Sequence, residues 1–103
     1  MRHALDFHPL VKFDLAEAEC WFQTIEPRLV DRLLSEVQAE FAALRDDALL
    51  YRPRFADIRR VNPPVFHYGI FYFISGELVV VLGVLHAARD SEAELRRRRE
   101  LYG

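Results

Sequence analysis

The densest chemistry in this 103-residue chain lies at the end of one apolar run. Val79-Val80-Val81-Leu82-Gly83-Val84-Leu85 leads into His86-Ala87-Ala88-Arg89-Asp90. Histidine titrates near neutrality and serves as a general acid or base. Arginine binds phosphate or carboxylate through a planar fork, and a carboxylate can orient either group. The plainer reading is a strand end, where His86 bonds locally to Asp90 or a backbone carbonyl. That reading carries more weight, and the acid–base role of His86 stays open.

Other residues invite the same weighing. Arg59 and Arg60 are adjacent on an expected strand, so they point to opposite faces. One of them should lie on the sheet face away from the helices, available to an acidic partner. A solvated edge-strand charge accounts for them equally well. Tyr68 and Tyr72 share a strand face, and core packing weighs more than a binding surface. Trp21 reads as packing between helix and sheet, and becomes a partner anchor if it is partly exposed. Cys20 reads as a small buried apolar residue. Arg96-Arg97-Arg98-Arg99 alternates with Glu92, Glu94 and Glu100 nearby. It suits a solvated helix end or a partner contact, rather than direct DNA binding. His3, His8, His67 and His86 have no ligand spacing, so no metal is expected. The four glycines are not clustered, so no phosphate-cradling loop and no cofactor are expected.

Bulk composition narrows the classes. The length suits one domain over residues 1–103. A single cysteine excludes an intrachain disulfide and any multi-cysteine metal cage, and suits a reducing compartment. The longest apolar run, Leu78 to Leu85, is too short to span a bilayer. No charged-then-apolar leader pattern is visible. A cytoplasmic protein is expected. The net charge of −2 is uneven. Residues 1–50 hold five Lys/Arg against ten Asp/Glu, and residues 51–103 hold nine Arg against six Asp/Glu. A protein that grips nucleic-acid phosphates usually needs a strong positive field, which is missing overall.

The elements that must position these residues follow from periodicity. Arg2 to Phe7 reads as a strand stopped by His8-Pro9. Lys12 to Gln23 reads as a helix with Leu15, Ala18 and Phe22 on one side. Thr24 to Glu26 is a link, and Pro27 opens a second helix to about Arg45. Its apolar stripe is Val30, Leu33, Leu34, Val37, Phe41 and Leu44. Asp46 to Ala56 has no period and reads as a loop. Asp57 to Val61, Val65 to Ile74 and Leu78 to His86 read as strands, the last two joined at Ser75-Gly76. Val65 to Ile74 is apolar at both parities, as a strand covered on both faces should be. Ser91 and Glu94 have capping-box spacing and open a short last helix. The sum is an α+β fold: a mostly antiparallel sheet, a helical hairpin on one face and a short C-terminal helix.

These residues, in this order, resemble the RelE/ParE superfamily of toxins from type II toxin–antitoxin modules. The ParE branch, which includes plasmid stabilisation proteins, is the nearer. The resemblance rests on His8-Pro9, then Asp14-Leu15-Ala16-Glu17-Ala18-Glu19-Cys20-Trp21-Phe22, then Tyr68-Gly69-Ile70-Phe71-Tyr72, then Leu82 to Asp90 with Leu85-His86 and Arg89-Asp90. It implies a RelE/ParE-like fold, a cognate antitoxin that folds on binding, and a hetero-oligomer with it. RelE-like members are ribosome-dependent mRNA endoribonucleases, and ParE-like members poison DNA gyrase. The RNA-cleaving branch places arginine where this chain has Gly69. It has a basic residue where this chain has Ala87 and Ala88, and often a tyrosine near Ala93-Glu94. Such cations stabilise the crowded phosphate, and losing one typically costs about 100- to 1,000-fold. The expectation is a gyrase-binding toxin without catalysis, contacting partners through Trp21, Arg59, Arg60, Tyr68, Arg89, Arg96 and Arg97. The alternatives are an mRNA interferase using His86, Arg59, Arg60 and Arg89, or a member without toxicity.

Overall fold

The computed structural model describes residues 2–63 and 66–103. The start of the expected strand Val65 to Ile74 therefore lies partly outside the described residues. Five strands form one sheet: β1 (Ala4–Phe7), β2 (Pro53–Phe55), β3 (Ile58–Val61), β4 (Tyr68–Ser75) and β5 (Leu78–His86). Their order across the sheet is β1-β5-β4-β3-β2. β1 runs parallel to β5, and the other pairs are antiparallel. Among the described residues three α-helices complete the fold: α1 (Val11–Ile25), α2 (Val30–Asp47) and α3 (Glu92–Glu100).

The sheet is covered on both faces because β4 and β5 are apolar on both. One face packs Tyr68, Ile70, Tyr72, Val79, Val81 and Val84 against the α1–α2 hairpin. There α2 buries Leu33, Val37, Phe41 and Leu44, four positions of its expected stripe. The other face packs Phe71, Phe73, Val80, Leu82 and Leu85 with Leu95 of α3. The hydroxyl of Tyr72 donates to the Ala48 carbonyl at 2.6 Å. Burial pushes that phenol up to about 12.

Three local departures from the sequence reading have physical reasons. The link between helices shrinks to Glu26, because α1 continues through Thr24 and Ile25 and a 3₁₀ turn at Pro27–Leu29 follows. The expected loop contains β2, a three-residue edge strand that starts at Pro53 and is too short to show a period. Ser91 does not cap α3 with its side chain. Its hydroxyl donates to the Arg89 carbonyl instead, and Glu94 is engaged by two arginines.

One irregularity positions the site. Phe71 pairs with Gly83 and Tyr72 with Val81, so Leu82 is an extra residue in β5. This bulge switches which residues face the hairpin, from Val79 and Val81 to Val84. β1 pairs with β5 only as far as Val81, where the His8 N–H closes the ladder onto the Val81 carbonyl at 2.8 Å. Past that point side chains replace a strand.

Candidate functional site

The first turns of α1 lie beside the open part of β5. Asp14 and Glu17 sit three residues apart there, on neighbouring parts of the helix surface. Asp14 is buried. Its Oδ2 accepts from the Val84 N–H at 3.1 Å and from Arg98 Nη1 at 2.6 Å. Its Oδ1 accepts from Arg98 Nη2 at 3.1 Å. Arg98, equally buried, also donates to the Leu82 carbonyl at 3.0 Å and to Glu94 at 2.8 Å. The pair satisfies the edge groups of the bulge and ties α1 to α3. Burial alone would lower the Arg98 guanidinium, but the hydrogen bonds and charges of Asp14 and Glu94 hold it above its ordinary value. Gly83 makes the crossing possible, since a Cβ there would lie 2.8 Å from Arg98 Nη1.

His8 borders this clamp. Its Nδ1 accepts from the Leu10 N–H at 3.0 Å, which requires that nitrogen to be unprotonated. Burial and then the Arg98 charge lower its pKa from 6.5, against an opposing pull from Asp14.

One turn further along α1 the surface opens. Glu17, Cys20, Trp21 and Thr24 of α1 face Tyr68 and His86 of the sheet across a groove of about 550 Å³. Tyr68 is 9% exposed and forms the floor, with its ring edge-on to His86 at 5.2 Å. Trp21 is 59% exposed, so it does not pack between helix and sheet. Phe22, next to it, takes the inward direction and meets Phe66 at 5.2 Å. Cys20 is exposed too, contrary to a buried apolar reading, because it shares the outward side of α1 with Trp21. His86 both lines the groove and holds its own turn: its Nδ1 accepts from the Ala88 N–H at 3.1 Å. A neutral ring then carries its proton on Nε2.

The remaining candidates are dispersed. Arg59 lies on the hairpin face opposite Tyr72 and donates to the Tyr51 carbonyl. Arg60 lies on the other face, bonds Asn62 at 2.7 Å and sits over the Phe71 ring. Burial and then the nearby Arg54 lower its pKa. Arg60 also fills the space above Gly69, where a Cβ would come within 2.7 Å of its Nε. Arg89 pairs with Glu94 at 3.1 Å. The four arginines of α3 have four different surroundings. Arg96 pairs with Glu92 and covers Phe55, Arg97 is exposed, Arg98 is buried, and Arg99 covers Phe73 while holding Asp57. Hydrogen bonds from Arg99 keep the Asp57 carboxyl below its ordinary range. Among the described residues, no three His, Cys, Asp or Glu side chains are grouped to hold a metal ion. Among the same residues, no helix is long and apolar enough to cross a membrane.

Sequence reasoning did not single out the Asp14–Arg98 pair. The one signal was spacing: Arg98 stands three residues after Leu95, on the side of α3 that faces the sheet.

Comparisons with known proteins agree with this architecture. Residues 5–91 match the family model described as the ParE toxin of the type II toxin–antitoxin system parDE. The fold is similar to a solved structure of the chromosomal ParDE TA system from P. aeruginosa. The TM-score is 0.72 at 11% identity, over 82% of this chain and 96% of that one. At that identity the likeness concerns the fold alone. Among curated proteins, none matches significantly. The family match spans the α1 carboxylates, the bulged β5 and His86, and on that basis the chain belongs to the ParE toxin family of type II toxin–antitoxin systems.

Proposed function

We propose that this chain is a toxin that acts by binding and inhibiting DNA gyrase, without cleaving RNA, and that a cognate antitoxin neutralises it. The observation that carries the binding mode is the dispersal of the groups RNA cleavage would need. Acid–base catalysis requires side chains within hydrogen-bond reach of the reacting atoms, about 2.6–3.2 Å. His86 is opposite Tyr68 and Arg59 is opposite Tyr72, four residues apart along β4, or about 13 Å. Arg60 is on the other face, and Arg89 is held by Glu94.

Exposed apolar residues support an antitoxin that covers the hairpin. Phe13, Trp21 and Ile25 line the outer side of α1 at 59, 59 and 57% exposure. A second concavity of about 480 Å³ lies between Phe7, Pro9, Val11, Leu15 and Phe41. A flexible segment that folds on binding suits such an extended surface. In a supercoiling assay, micromolar chain should block the reaction or trap cleaved DNA, and the antitoxin should reverse it. Unimpeded supercoiling would remove the gyrase target.

One observation favours a second reading, a ribosome-dependent mRNA interferase. Arg60 lies over Gly69, where the resemblance expects an arginine in the RNA-cleaving branch. Mapping mRNA ends in a purified translation system separates the two: A-site cuts would support this reading, and intact message would remove it.

A further inference from the structure

We propose that the groove between α1 and the end of β5 receives a lysine or arginine side chain of a partner polypeptide. This deepens the binding reading above and rests on it, by naming the chemistry of the partner's anchor.

Glu17 is the first observation. It is exposed in the groove and forms no ion pair among the described residues. Its neighbour Asp14 already holds Arg98. Arg89, which lines the adjoining recess with Glu17, is held by Glu94. The groove therefore presents a carboxylate without a cation.

Trp21 is the second, independent observation. Indole is the best aromatic acceptor for a cation. Among the described residues, Lys12 lies over Phe13, Arg60 over Phe71, Arg96 over Phe55 and Arg99 over Phe73. Trp21 has no such neighbour, although more than half its surface is open. Glu17 and Trp21 stand at i and i+4 on one side of the helix, above the Tyr68 ring. A long aliphatic stem can lie along Tyr68 and Trp21 while its charged head meets Glu17. An acidic side chain would face Glu17 as a like charge.

Trp21 is the only tryptophan in the chain, so its emission and its indole N–H resonance report the groove directly. The probes are blocked pentapeptides with a central arginine, lysine, glutamine or glutamate between alanines. The arginine and lysine peptides should perturb Trp21 saturably in the millimolar range. Glutamine should bind at least about threefold more weakly, and glutamate should give no saturation. Glu17→Gln should weaken the arginine peptide about two- to fivefold, the ratio expected of one exposed charge contact. Circular dichroism should show that this variant stays folded. No response to the basic peptides would overturn the proposal, as would an equal response to all four. A concentration-dependent Trp21 shift without peptide, with a sedimenting dimer, would assign the groove to a second copy and also overturn it. The assay contains neither gyrase nor antitoxin. A chain that blocks supercoiling but fails here keeps its toxin reading and loses only the anchor.

Discussion

Two carboxylates on α1, three residues apart, have opposite surroundings. Asp14 is buried and bound on both oxygens, by Arg98 and the Val84 N–H. Glu17 is exposed, with no ion partner among the described residues. The difference comes from where β1 ends. Past Val81, β5 offers free edge groups, and Asp14 sits at that gap while Glu17 lies beyond it, over Tyr68 and His86. The same helix thus uses one acid to complete its own fold and leaves the next one to solvent. A buried polar group without a partner costs free energy, so the first site must be filled within the chain. An exposed one is hydrated, so the second can wait for a partner.

The comparison breaks hardest at Asp14. Asp14→Asn leaves the Arg98 charge buried with one fewer carboxylate, and should cost about 3–5 kcal/mol in urea unfolding. A loss under about 1 kcal/mol would mean that the pair adds little to the fold. Gly83→Ala should come next. Its new methyl would press on Arg98 and Asp14, costing about 1–3 kcal/mol by the same measurement.

A smaller effect is expected from pH. His8 has a folded pKa below 6.5, so the unfolded chain binds the extra proton first as pH falls. Stability from neutral His8 is full above pH 6.5 and declines as pH drops from there through the folded pKa. His8→Asn keeps an acceptor for the Leu10 N–H and should flatten that slope in urea midpoints taken between pH 7 and 5. Glu17→Gln should change stability least, within about 0.5 kcal/mol, as surface substitutions do. A large loss there would erase the contrast with Asp14.

The layers of this fold were legible because their periods are strong. The α2 stripe and the two-faced β4 appear in the sequence as they appear in the structure. The edge strand β2 was not legible, since three residues opening on proline show no alternation. The site was partly legible. Trp21 and Tyr68 stood out by type, but the exposure of Trp21 depends on how α1 is rotated against the sheet. In a row of four arginines nothing marks the buried one except its distance from Leu95. Its partner Asp14 is 84 positions away. Ser91 carried a capping signal that failed, because its hydroxyl turns to the Arg89 carbonyl while Arg89 and Arg98 each hold one oxygen of Glu94.

The central claim is that the chain works by binding, with His86 fixing its own turn through the Ala88 N–H. A supercoiling titration of the wild type beside His86→Asn tests it most directly. Inhibition by both, with midpoints within about threefold, is the result expected of a turn residue whose Nδ1 hydrogen bond asparagine can replace. Unimpeded supercoiling at micromolar wild-type chain would contradict it.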